Sequence, residues 1–208
     1  MEFATIALFA VAALALTATP GPDMILIASR SAAQGRLAGL ATWAGIAAGT
    51  YVHALAAALG LSQLFLAVPV AYDVVRFLGA AYLVFLAWQT VRSPKDEMSI
   101  YPHPSRSVGV MFRQGLLTNI LNPKMVIFVL ALFPQFIVPD AGSVVVQVLI
   151  LATVLNGIGF FVNGAVILAA DRARLFLSGS ARVKTVAEYI LGTVFIGLAA
   201  RLAFDGDR

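Results

Sequence analysis

Six apolar runs follow one another along this chain, each long enough to cross a lipid bilayer, and that succession limits the fold more than any other feature. A spanning helix needs about 20 largely apolar residues; such runs occupy 4–29, 37–67, 69–91, 111–138, 143–170 and 185–204. The chain is 61% hydrophobic and 12% charged over 208 residues, against about 45–50% and roughly 25% in soluble domains. A soluble fold of this size cannot bury so much apolar surface. In lipid the backbone must satisfy its own hydrogen bonds, and runs of this length do so as helices. The reading is therefore an all-α integral membrane protein with six transmembrane helices. The first run is taken as helix 1 and not a signal peptide: it opens Met-Glu-Phe without a basic n-region, and the chain downstream stays hydrophobic.

Residues 92–107 form the one convincing hydrophilic loop, with Pro94, Pro102 and Pro104 among charges. It divides the chain into a first three-helix repeat (1–91), a linker loop (92–110) and a second three-helix repeat (111–208). Ten basic residues lie in the connections after helices 1, 3 and 5: Arg30, Arg36, Arg92, Lys95, Arg106, Arg113, Arg172, Arg174, Arg182 and Lys184. The other side holds Arg76, Arg201 and Arg208. By the positive-inside rule, the basic loops face the cytoplasm and both termini lie outside. The basic residues, and the net charge of +4, are thus topology signals and not a nucleic-acid surface.

An internal repeat is legible within the chain. Thr17 falls over Thr118, Pro22 over Pro123 and Met24 over Met125, at one common offset of 101 residues that also carries helix 2 onto helix 5. With three spans per half, the halves are expected to be inverted repeats, an architecture common among secondary transporters. Helices 1 and 4 are expected to be broken, at Thr19-Pro20-Gly21-Pro22-Asp23 and at Asn122-Pro123-Lys124, because proline removes a backbone donor and crowds the preceding turn. Pro22 and Pro123 suit the first position of each second half-helix. Half-helix N-termini there would offer unpaired amides to a carboxylate; an ordinary proline kink in each helix is the plainer alternative.

Asp23 and Lys124 hold equivalent places in the repeats and are the charges deepest in the predicted bilayer. Such residues cost about 2.5–3.5 kcal/mol each at a helix centre. Two accounts fit: a buried ion pair that fixes the packing of the halves, or Asp23 meeting a substrate ammonium or a proton while Lys124 attracts a carboxylate. Helix 2 carries Ala41, Gly45, Gly49, His53 and Ala57 at every fourth position, a stripe along which another helix can approach closely. His53 on that stripe is either a packing residue or a proton carrier. Asn156 and Asn163 share a face of helix 5, and Asp73 with Arg76 reads as an interfacial pair. No metal site is expected: the chain has no cysteine and two histidines, His53 and His103. Asp96-Glu97, the only adjacent carboxylates in the chain, sit in a proline-rich loop, so an enzyme is not expected.

These residues resemble the LysE/RhtB-type amino-acid exporters. The match is carried by Thr19-Pro20-Gly21-Pro22-Asp23, Ser29-Arg30-Ser31, Gln34-Gly35-Arg36-Leu37-Ala38-Gly39, Gly45 through Gly49 to His53, Leu78-Gly79-Ala80-Ala81-Tyr82-Leu83, Gly115 through Thr118-Asn119 to Asn122-Pro123-Lys124, and Phe133-Pro134-Gln135-Phe136. The resemblance implies a six-helix bacterial inner-membrane exporter of amino acids or close derivatives, driven by the proton gradient without a cofactor. Its Pro-Gly-Pro and Asn-Pro-Lys segments would lie near the transport path, with Thr17, Thr118, Asn119 and Asn122 beside them. Many relatives look to have an acidic residue after the glycine matching Gly49; here Thr50 stands there, which moves the expected proton site to Asp23. The alternatives are a channel-like or uniport pore, an exporter of another small solute, or a membrane scaffold. Six helices per chain are compatible with a homodimer.

Overall fold

Helix 1 divides where its prolines fall. In a computed structural model of the protein, which describes residues 3–59, 107–138 and 141–177 and short helical stretches within 77–88 and 193–200, α1 covers Phe3–Ala18 and α2 covers Pro22–Gln34. The two are bent by 57° at the break. The second half behaves alike: α4 covers Val108–Ile120 and α5 Pro123–Leu132, and α4 is bent by 58° against the stretch Pro123–Phe136 that α5 opens. Both following helices begin at a proline, whose fixed φ suits a first turn that needs no amide donor.

Between them lies α3, Arg36–Ala58. Gly35, at φ +87°, is the whole corner from α2 to α3, and its amide donates to Ser31 O at 2.9 Å. Its left-handed backbone is what permits so short a turn. A 3-10 turn, Phe133–Phe136, follows α5, and α6 runs without interruption from Val144 to Leu177. Among the described residues the structure has six α-helices and no strand. Val144–Arg174 is by itself long and apolar enough to cross a membrane, and each bent pair qualifies when taken as one span. Most of the expected spans at 69–91 and 185–204, most of the 92–110 linker, and Asp73, Arg76 and His103 lie outside the described residues.

Several boundaries differ from the sequence reading: the helix expected over 37–67 ends at Ala58, and the one expected from 111 begins at Val108. Helix 1 extends to Gln34 instead of residue 29, and helix 5 runs to Leu177 instead of 170. Arg172 and Arg174, read as loop residues, are helical. The cause is local: Asp171 accepts from Arg174 one turn on and from Arg36 across the corner, so its charge is met inside the fold and the helix continues.

In lipid there is no hydrophobic drive between helices, so close packing and hydrogen bonds must hold them together. The tightest crossing is α3 on α4. A Cβ at Gly45 would strike the Phe112 carbonyl, and one at Gly115 would strike the Thr42 carbonyl. At Gly49 it would come within 2.6 Å of Asn119 Oδ1. Gly45 and Gly49 thus lie at this helix contact, where only hydrogen side chains let the backbones meet. On its other side α3 packs against α6: Asn156 Nδ2 donates to Ala47 O at 3.1 Å, Tyr51 and Thr153 hydroxyls bond at 3.0 Å, and Trp43 meets Phe160 edge-on at 5.1 Å. Polar bonds of this kind contribute about 0.6–2 kcal/mol each in a bilayer.

These contacts fix directions. Along α3 and α4 residue numbers rise together, from Ala38 and Ala41 beside Met111 to His53 beside Asn119, so the two are parallel. Along α3 and α6 they run oppositely, from Arg36–Asp171 to Tyr51–Thr153. α1 runs with α6, from Phe9 beside Val148 and Leu151 to Thr17 beside Gly159. The bent pair α1–α2 is therefore antiparallel to α4–α5, and α3 to α6.

Candidate functional site

The free ends created by the first break are met by charge. The last turn of α1 and the residues just past it have carbonyls with few or no backbone partners, and Lys124 Nζ donates to two of these, Leu16 O at 2.8 Å, which also accepts from Thr19 N at 3.3 Å, and Thr19 O at 2.6 Å. At the start of α2, Gly21 makes no side-chain cap, and the first backbone bond is Ile25 N to Gly21 O, which leaves the Asp23 and Met24 amides of the opening turn without helical partners. Asp23 lies in that turn, where a carboxylate is favoured by the helix dipole. Asn119 Nδ2 donates to Asp23 Oδ2 at 2.7 Å, while Asp23 Oδ1 is buried with no partner.

The second break is met by neutral groups. Asn122 Oδ1 accepts from Lys124 N at 3.1 Å and caps α5. Asn119 O, near the end of α4, accepts from Asn122 N and lies 3.0 Å from His53 Nε2. Asn119 is fully buried, and its amide and carbonyl connect Asp23, His53 and the α4 end.

These groups surround a cavity of about 60 Å³, room for on the order of four waters. Thr17, Gly21, Asp23, Asn119, Asn122 and Lys124 line it. Pro20, Pro22, Pro123, Thr118 and His53 do not belong to its lining; the prolines shape the backbone that carries the others. Asp23 and Lys124 share the cavity and are close enough for their charges to attract, but each hydrogen-bonds to a different partner. Asn156 and Asn163 of α6 line it as well, and Asn163 Oδ1 is buried without a partner. Trp43, Met24, Ile46, Met125 and Leu155 supply an apolar wall; of these the sequence marked only Met24 and Met125, as a match of the internal repeat and not as site residues. Nothing in the pattern separates these from lipid-facing residues. Thr50, noted only as a departure from the family pattern, also lines the cavity.

The depth of the cavity follows from α6. Gly159, which lines it, stands midway along Val144–Arg174, fifteen residues from each end. A polar, charged cavity level with the middle of a helix long and apolar enough to cross a membrane is the arrangement of a polytopic helical membrane protein. The comparisons name the family. Residues 14–206 match the LysE type translocators, and the chain belongs to that family. It is 28% identical over 201 residues to a leucine efflux protein of Salmonella typhimurium, covering 94% of this chain and 92% of that one. A leucine efflux protein of an Enterobacter strain is 27% identical over 199 residues, covering 94% and 93%. No solved structure matches.

Proposed function

We propose that the protein is a secondary active exporter of amino acids or close derivatives across the bacterial inner membrane, driven by the proton gradient. Membership of the translocator family and likeness to leucine efflux proteins support the efflux reading. The observation that carries it is the midplane cavity, where a half-free carboxylate, an ammonium and the uncapped start of α2 face one small space. An ammonium has three donors and no acceptor, which suits Asp23 Oδ1. A carboxylate suits the free amides of α2 and the positive Lys124. A zwitterionic amino acid presents both groups, and the apolar wall from Trp43 to Leu155 suits a neutral side chain such as leucine's.

An amino acid is larger than the cavity, so loading it requires the helices around it to part. The antiparallel bent pairs and the 101-residue offset support two inverted three-helix repeats that rock about this site. In this reading the corner at Gly35 and Arg36 faces the cytoplasm with the other basic loops, and both termini face outward. Asp23 holds the substrate ammonium or the coupling proton. Export of labelled leucine from loaded proteoliposomes, with and without an imposed pH gradient, tests the proposal. Transport stimulated by the gradient is the expected result; no transport of any amino acid by correctly inserted protein would remove the exporter reading, and gradient-independent equilibration would replace it with a uniporter.

A further inference from the structure

Along α6 the cavity has neighbours of opposite chemistry. Val148, Leu151 and Leu155 belong to an apolar cluster with Phe9, Val129 and Phe133. Phe9 lies at its centre, edge-on to Phe133 and Phe136 with ring centroids 5.4 and 5.2 Å apart. The cavity residues Asn156, Gly159 and Asn163 come next. Beyond them Ile167 packs with Ile27 and Ile46, and then comes Asp171. At 1.5 Å per residue, Asn156 lies roughly 12 Å from Val148, and Asn163 roughly 12 Å from Asp171. The cavity is thus held between an aromatic plug at one end and an isoleucine layer backed by charge at the other.

The charged end joins elements of the two halves. Asp171 Oδ2 accepts from Arg36 Nε at 2.6 Å, and Oδ1 accepts from Arg174 Nη2 at 3.2 Å. The carboxylate is 5% exposed, whereas the Arg36 side chain is 60% exposed and that of Arg174 38%. The left-handed Gly35 backbone sets the corner so close that an added Cβ would lie 3.4 Å from Asp171 Oδ1 and 3.3 Å from Arg174 Nη2. A static brace between helices does not need partners of such unequal exposure. A latch does: the arginines keep water at hand to receive them on parting, and only the carboxylate has to be wetted, so the pair can open at little cost.

We propose that Arg36, Asp171 and Arg174 form an ionic gate that shuts the cavity on the basic-loop face, while the Phe9 cluster shuts the opposite face by apolar packing alone. They are positioning residues: none of them lines the cavity, and they act by holding α6 against the α2–α3 corner. The proposal rests on the transport reading for its purpose, but its test requires no substrate.

The chain has no cysteine, so Gly159→Cys introduces a single thiol at the cavity, and an added Cβ there meets nothing nearer than 3.8 Å. Labelling by a membrane-impermeant maleimide is followed in vesicles of each orientation. In that background Arg36→Ala and Asp171→Asn should each raise the labelling rate from the Arg36 face by about tenfold or more, as losing a hydrogen bond to a charged group shifts a two-state equilibrium. Labelling from the other face should not rise, and Arg36→Lys and Asp171→Glu should lie near the parent. Unchanged labelling by membrane-inserted Arg36→Ala, or an equal rise from both faces, would overturn the gate. Arg36 is largely exposed, so its alanine variant carries the test if Asp171→Asn does not insert. Raised labelling in a protein that exports no amino acid would leave the gate standing and remove the exporter reading.

Discussion

The two helix breaks are bent almost equally, by 57° and 58°, and both restart at proline, yet their free ends are satisfied in opposite ways. At the first break charge does it: Lys124 holds the last carbonyls of α1, and Asp23 lies in the first turn of α2. At the second, neutral amides do it, through the Asn122 cap and the Asn119 carbonyl. Lys124 belongs by sequence to the second break, where a cation near a helix N-terminus is unfavourable. It reaches instead to the C-terminal end of α1, where a cation is favoured. Both of these half-buried charges therefore serve the first break, while the second is met by the Asn122 cap and the Asn119 carbonyl, with His53 Nε2 3.0 Å from that carbonyl. Equal geometry does not imply equal duty.

The sharpest way to break this comparison is Asp23→Asn. It keeps the shape and a hydrogen-bonding group for Asn119 but removes the charge, and export should fall by more than about a hundredfold, roughly 2.7 kcal/mol, with normal membrane insertion. Near-normal export by a well-expressed variant would make the charge at the first break dispensable. Lys124→Met should come next. It removes two charge-assisted bonds of about 1.5–3 kcal/mol each, so thermal unfolding in detergent should shift downward by several degrees and export should fall, while Lys124→Arg should retain part of both. Asn122→Ala tests the neutral break: loss of an N-cap predicts about 1 kcal/mol of lost stability. Smallest of all, Gly21→Ser should change stability by only a few tenths of a kcal/mol, as expected between glycine and serine at an N-cap. Its new Cβ would meet only Lys124 Cδ at 3.5 Å and Nζ at 3.7 Å, ordinary contacts. A large effect there would mean that the first break depends on its backbone as much as on its charges.

Much of this was legible in the chain. Apolar runs marked the spans at 4–29, 111–138 and 143–170, and the prolines marked the places where two of them bend. The stripe of Gly45 and Gly49 foretold a face for close helix approach, though not that its partner would be Gly115 of α4. Asn156 and Asn163 could be placed on one face from their spacing. Trp43, Met24 and Leu155 could not be assigned to the cavity, since apolar side chains facing lipid and those facing a chamber look the same in one sequence. Nor could the continuation of α6 through Arg172 and Arg174 be read, because Arg36, 135 residues away from Asp171, makes that helix end tolerable.

By itself the sequence determined that this chain belongs in a membrane and that its apolar runs at 4–29 and 111–138 turn at their prolines, because hydropathy and proline act on the backbone locally. Only tertiary structure decided what each of these half-buried charges is for. The reach of a lysine side chain to another helix's carbonyls, and the single free oxygen left on Asp23, depend on how antiparallel segments cross, and no local rule encodes that.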